Sequence, residues 1–170
     1  MNDQSENQTS LKIAIRFATE SDALLLARFR YAFRASLSPA CEDEAEFVER
    51  CHRWMQARLR EAGRWRCWIA EQEHTPVGQL WLQLIEKIPN PPPEPERHAY
   101  LTNFYVLEEA RSQGIGSILL AAALAWSKTQ AVQAVILWPS EQSRSLYLRH
   151  GFAVRADLLE LLLAQPGEEH

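Results

Sequence analysis

Asn103-Phe-Tyr-Val-Leu-Glu-Glu-Ala-Arg111-Ser-Gln-Gly114-Ile-Gly116-Ser117 is the stretch on which the reading of this chain turns. Its first half closes a strand predicted from His98 to Leu107. Its second half opens a helix predicted from about Gly114 to Lys128, with Leu119, Ala123 and Trp126 on one face. The first turn of a helix has N–H groups without intrahelical acceptors, and the aligned peptide dipoles add positive potential there. Backbone alone can therefore hold a diphosphate at such a point. Gly114 and Gly116 allow the main chain a close approach, Arg111 adds a fixed charge with several donors, and Gln113 and Ser117 can donate further bonds. Two glycines before a helix also suit an ordinary turn, so the flanking sequence has to decide.

Other phosphate loops do not fit. No Gly-Lys-Ser/Thr is present for a nucleoside triphosphate, and the third glycine of the dinucleotide fingerprint is missing. Working outward, Lys12-Ile-Ala-Ile-Arg-Phe-Ala alternates as a strand, and Thr19, Ser21 and Asp22 offer oxygens to cap a helix carrying Leu26, Phe29 and Phe33. Ser38-Pro39 interrupts. Val48, Cys51, Met55 and Leu59 then recur at helical spacing, and Gly63 is placed to end that helix. Trp65 to Glu71 and Val77 to Ile88 predict antiparallel strands joined through His74-Thr-Pro-Val-Gly78. Pro89-Asn-Pro-Pro-Pro-Glu-Pro-Glu lacks the donors a sheet interior needs and predicts a stiff exposed loop. After the long helix come a strand at Ala134 to Trp138, a short helix at Ser143 to Arg149, a turn at His150-Gly151-Phe152 and a last apolar strand at Leu158 to Leu163. This order is an α/β pattern, with helices covering a sheet.

The 170 residues suit one domain, expected over 11–163, with tails at 1–10 and 164–170. An apolar content of 46% with 24% charged residues belongs to an ordinary globular chain. Eighteen basic residues against 22 acidic ones leave no field to collect nucleic acid or anionic lipid, so neither is expected as a partner. The polar, acidic start and the lack of a long apolar run make the cytoplasm the expected compartment. Cys41, Cys51 and Cys67 have no metal-ligand spacing, predict reduced thiols, and no metal is expected. Cys67 reads as a small core residue in a strand.

The pattern Arg111-Ser-Gln-Gly114-Ile-Gly116 after a strand resembles the hallmark of the GNAT superfamily of N-acyltransferases, Arg/Gln-x-x-Gly-x-Gly/Ala. Asn103 to Arg111 resembles that family's fourth strand and its exit, and Ser145-Leu-Tyr147-Leu-Arg-His-Gly151-Phe152 is similar to its later signature. The likeness covers roughly residues 11–163. It implies a mixed, mostly antiparallel sheet splayed between the fourth and fifth strands and flanked by helices, with acetyl-CoA as co-substrate. Carried over, Phe104, Tyr105 and Val106 would line the pantetheine arm, and Arg111, Ser112, Gln113, Gly114, Ile115, Gly116 and Ser117 would hold the pyrophosphate. Ser143 and Arg144 would serve the cofactor, with Arg144 facing its 3′-phosphate. Backbone N–H near Val106 would stabilise the oxyanion. Tyr147 would protonate the leaving sulfur, since a phenol of ordinary pKa about 10 is matched to a thiol. The chain departs from the family where asparagine and alanine often precede the tyrosine; Ser140 and Ser143 stand there.

The resemblance implies transfer of an acetyl group to a primary amine of a small molecule, an amino acid derivative or a protein, and leaves that amine unnamed. The alternatives are a non-catalytic acyl-CoA sensor and an interaction module. No general base is assigned; Glu86, His98 and a water on Thr102 or Asn103 are the candidates. Glu42, Asp43, Glu44 and Glu46 read as a solvated helix start more than as an attractant for cations. Of the six tryptophans most are expected in the core, with some able to wall a pocket. The proline loop is a connector, a wall of the substrate site or a partner contact, and a homodimer is compatible with the sequence.

Overall fold

The computed structural model describes residues 12–61 and 63–163, so the expected tails at 1–10 and 164–170 lie outside the described residues. Strand β1, Ile13–Phe17, leads through a 3₁₀ turn, Glu20–Asp22, into helix α1, Ala23–Ala35. A capping box fixes that entry: the Thr19 amide donates to Asp22 Oδ2 at 2.7 Å. Arg16 donates to both Asp22 oxygens, at 2.8 and 2.9 Å, and its Nε donates to Glu71 on the next strand at 2.8 Å. The guanidinium holds the Asp22 carboxyl below its ordinary range.

Helix α2, Glu44–Arg60, begins at Asp43, whose Oδ1 accepts from the amides of Ala45 and Glu46. Asp43 is thus a cap, and Glu42 pairs with Arg50. Strands β2, Trp65–Gln72, and β3, Thr75–Glu86, form a hairpin whose two-residue loop is Glu73-His74, both in the left-handed region at φ 50° and 67°. The connection therefore lies earlier than the predicted His74 to Gly78. Pro76 and Gly78 belong to β3, and a register shift between Ala70 and Glu71 adjoins the proline, which has no N–H for the ladder.

Strand β4, Arg97–Val106, pairs antiparallel with β3, and after helix α3, Ile115–Thr129, strand β5, Val132–Ile136, pairs parallel with β4. The sheet order is β1-β2-β3-β4-β5. Helices cover both faces, which is why β2 and β3 show unbroken buried runs where one-sided strands would alternate. Cys67, Ile69 and Trp81 pack with Ala23, Leu26, Ala27, Val48 and Met55 of α1 and α2. On the opposite face Trp68 meets Trp126 of α3 at 5.5 Å between ring centroids. Gly78 there comes so close to Leu119 and to the Tyr105 carbonyl that a Cβ would lie 3.3 and 3.0 Å from them. Buried Gln79 is satisfied, accepting from Trp81 Nε1 at 3.1 Å and donating to the Leu26 carbonyl at 3.5 Å. Cys67 is a core residue, as expected, and burial pushes its thiol well up.

The chain divides into two compact units after Trp138. The second contains helix α4, Glu141–Arg149, capped by Ser140, whose Oγ accepts from the Ser143 amide at 3.3 Å. The strand predicted at Leu158 to Leu163 does not form. Those residues take no regular structure, and Leu159 and Leu163 are 93% and 90% exposed. An apolar run specifies a wish for burial, and without a paired neighbour it does not make a strand.

Candidate functional site

Two features of β4 prepare a site. Its pairing with β5 ends at Tyr100 opposite Ile136, while its pairing with β3 continues to Val106 opposite Gly78. Residues 101–106 are therefore paired on one side only, which is the splay that the resemblance implies. Within this stretch β4 carries an extra residue: Gln79 faces Tyr105 but Trp81 faces Thr102, and Asn103 takes φ 48°. The bulge re-aims the side chains beside it, and Thr102 and Asn103 line a cavity.

Past Val106 a 3₁₀ turn, Glu108–Ala110, leads to Arg111. Arg111 Nε donates to the Val106 carbonyl at 3.1 Å and its guanidinium lies 5.8 Å from the centre of the Tyr105 ring, so the side chain clamps the end of β4. Gln113 donates to the Glu109 carbonyl and accepts from Gln72 Nε2 at 2.8 Å; its amide is spent on folding the loop against the β2–β3 hairpin. Ser112 and Gly114 both have left-handed backbone, at φ 62° and 80°. Gly114 is the N-cap of α3, and Ile118 N–H to Gly114 O at 3.1 Å opens the helix ladder. The amides of Gly114, Ile115 and Gly116 precede Ile118, the first donor of that ladder, and no acidic residue occupies the first turn. Residues 111–114 are exposed and Ile115 is buried, anchoring the turn from beneath. The arrangement has the donors, dipole and absence of bulk that an anion needs.

Tyr105 points the other way. It is buried against Phe29 and Phe33 of α1, at ring centroid distances of 6.0 and 5.5 Å, so of the three residues predicted to line a cofactor arm it leaves only its backbone for that role. Phe104 and Val106 are half-buried.

The cavity that Thr102 and Asn103 line measures about 420 Å³ and falls within the range of small-molecule sites. Its walls include Trp54, Trp65 and Trp81, mutually in contact at 5.2 to 6.2 Å, together with Arg30 from α1 and Arg50 from α2. Of the proposed bases, Glu86 is exposed and absent from the walls, and His98 is hydrogen-bonded to Gln133 at 3.1 Å. Arg30 was missed in the sequence, although a signal existed: it sits four residues after Leu26 and seven after Ala23, on the buried face of α1. Trp138 and Tyr100 stack edge to face at 5.2 Å.

In the second unit, Tyr147 is buried, meets the Phe152 ring at 5.5 Å and hydrogen-bonds with Ser143. Burial pushes its phenol up to about 12, and the Ser143 bond draws it back in part. Ser143 also bonds to Ser140 through both hydroxyls at 2.9 Å; Arg144 is exposed. Among the described residues no group of three or more His, Cys, Asp or Glu could hold a metal ion. No helix among them is long and apolar enough to cross a membrane.

The model of the Acetyltransferase (GNAT) family matches residues 27–152, most of the chain, and this protein belongs to that family. Solved structures share the fold. A GCN5-related N-acetyltransferase from Ralstonia eutropha JMP134 is 24% identical with a TM-score of 0.74, covering 90% of this chain and all of its own. A predicted acetyltransferase with acetyl-CoA from Clostridium acetobutylicum is 23% identical at TM-score 0.68, with 89% and 97% covered. A ribosomal-protein-alanine N-acetyltransferase from Brucella melitensis biovar Abortus 2308 is 18% identical at 0.66, with 91% and 99% covered. No curated protein matches the chain.

Proposed function

We propose that this protein transfers the acetyl group of acetyl-CoA to a primary amine, and that residues 11–163 act as one acetyltransferase domain. The observation that carries the reading is the half-paired end of β4 leading through one 3₁₀ turn to the start of α3. An extended arm can pair with backbone at such an edge while its diphosphate rests on the amides beyond it. Acetyl-CoA supplies an activated thioester carbonyl. Residues 111–117 hold the diphosphate, Phe104 to Val106 flank the arm, backbone N–H near Val106 stabilises the developing oxyanion, and Ser143 with Arg144 serve the cofactor's remaining polar groups.

Tyr147 is assigned the proton given to the departing sulfur. A phenol at about 12 stays protonated throughout the working pH range, so the donor is always loaded. A water on Thr102 or Asn103 takes the proton from the incoming ammonium. The three unlinked thiols, Cys41, Cys51 and Cys67, support a reducing compartment, and we place the protein in the cytoplasm.

A thermal shift with acetyl-CoA is the first test: a ligand that binds only the native state must raise the melting temperature, and no shift at high concentration sinks the reading. Tyr147→Phe should lower kcat roughly 100-fold or more with the acetyl-CoA shift kept. The same substitution has a stability signature. In the unfolded chain a tyrosine ionises near pH 10, whereas this one stays neutral to about 12. The unfolded state therefore sheds a proton first, and stability falls as pH rises from about 10 to about 12. Denaturant titrations in that window should show a slope that Tyr147→Phe removes. That no carboxylate among the described residues lines the cavity favours one other reading, an acyl-CoA sensor without turnover. That reading requires Tyr147→Phe to change nothing.

A further inference from the structure

Resting on the acetyl-transfer reading above, we propose that the acceptor is an α-amino acid with a large apolar or aromatic side chain, its carboxylate held by Arg30 and its side chain by the Trp54, Trp65 and Trp81 wall. The charge of the cavity carries the first part. Among the described residues its walls contain two arginines and no acidic residue. Arg50 is neutralised, since Glu42 pairs with it through both carboxylate oxygens. Arg30 has no such partner among the described residues. Its guanidinium is half-buried, donates to Asn103 Oδ1 at 3.4 Å and lies 5.8 Å from the Phe33 ring centre. Arg34, one turn on, adds to the positive field, and burial holds the Arg30 pKa below its ordinary value. A guanidinium taken from water and given one long neutral hydrogen bond is a standing receptor for an anion, and a carboxylate fits its planar fork.

The place of Arg30 decides where on the substrate that carboxylate must be. Asn103, its hydrogen-bond partner, is the bulge residue of β4 in the stretch that β5 leaves unpaired. The thioester is assigned to this same edge. An acceptor whose carboxylate meets Arg30 must therefore carry its amine close by, which describes an α-amino acid better than a chain with a distant acid. The rest of the cavity is aromatic. Cation sites on two of its rings are already taken, with Arg58 over Trp54 at 5.3 Å and Arg50 over Phe47 at 5.2 Å. A polycationic amine would thus meet like charges where an apolar side chain meets tryptophan.

In the reaction the ammonium first gives one proton to water. The neutral nitrogen bonds to the thioester carbonyl carbon, the carbon–sulfur bond breaks with its electron pair going to sulfur, and sulfur takes a proton from the Tyr147 hydroxyl, which regains one from solvent. The second nitrogen proton goes to water as the amide forms. The products are the N-acetyl amino acid and the free thiol. A positive guanidinium beside the ammonium eases its first deprotonation.

Thiol release by the full-length protein should be measured with acetyl-CoA against L-phenylalanine, L-tryptophan and L-methionine, against their amides, and against glycine and spermidine. The amide keeps the amine and side chain and lacks only the carboxylate. The acids should exceed their amides by roughly 10- to 100-fold in kcat/KM, the range of a charge-assisted hydrogen bond. Glycine and spermidine should be poorer than either. Arg30→Gln should raise KM for the acids and collapse the acid-to-amide ratio towards one, with the acetyl-CoA thermal shift retained, and Arg30→Lys should restore part of the ratio. Amides or spermidine preferred by the unmodified protein would overturn the proposal while leaving acetyl transfer standing, and so would an acid-to-amide ratio that Arg30→Gln leaves unmoved. If acetyl-CoA gives no thermal shift and no amine releases thiol, the underlying reading fails and this one with it. The comparison on the unmodified protein stands even if Arg30→Gln does not fold.

Discussion

The turn from Arg111 to Ser117 and the cavity beneath α1 and α2 lie at the same strand, β4, and are built on opposite principles. The turn is made of backbone: left-handed Ser112 and Gly114, the first amides of α3, and side chains such as Gln113 that fold the loop on itself. All its parts lie within seven consecutive residues, so a short motif encodes it. The cavity is made of side chains from α1, α2, β2, β3 and β4, spread from Arg30 to Asn103. No local pattern announces it. A backbone cradle of the kind proposed for the diphosphate can live in a motif, whereas a side-chain cavity of the kind proposed for the acceptor is assembled by packing.

That contrast predicts separable failures. Arg111→Glu should have the largest effect, because it removes the clamp on the Val106 carbonyl and puts a negative charge where the proposed diphosphate would rest. Acetyl-CoA affinity should fall roughly 100-fold, measured by calorimetry, while the ratio of rates between two acceptors stays as it was. If that ratio moves as much as the affinity, the two regions are not independent. Trp54→Ala should do the reverse at smaller scale. Trp54 is 41% exposed, so the fold survives its loss, and KM for the acceptor should rise about 10-fold with acetyl-CoA binding unaltered. Gly114→Ala should be the mildest. No atom lies within 4 Å of where a Cβ would sit, but φ is +80°. The penalty is conformational, about 1 kcal/mol of stability, seen as a modest drop in melting temperature. A much larger loss would mean that the turn moves when it is substituted.

The sequence is legible where physics is local. The hallmark turn, the α3 start at its glycine, the capping box of Thr19 and Asp22, the core position of Cys67 and the exposed proline loop all follow from neighbours in the chain. It misleads where a partner decides. The connection was placed at His74 to Gly78 because Pro76 and Gly78 look like turn residues, yet the ladder takes both into β3 and turns at Glu73-His74 instead. Leu158 to Leu163 was read as a strand from its apolarity alone. Arg30 was passed over because a single arginine on an apolar helix face reads as a surface residue unless something shows what that face looks into.

Family membership and the order of helices and strands from β1 to α4 were thus determined by the sequence itself, since each rests on periodicity, capping or a contiguous motif. The point at which β4 parts from β5, the bulge at Asn103 and the meeting of Arg30 with three tryptophans were decided only by the tertiary structure. Those features are agreements among residues up to 73 positions apart, as Arg30 and Asn103 are, and a linear pattern does not record which distant side chains will share one desolvated space.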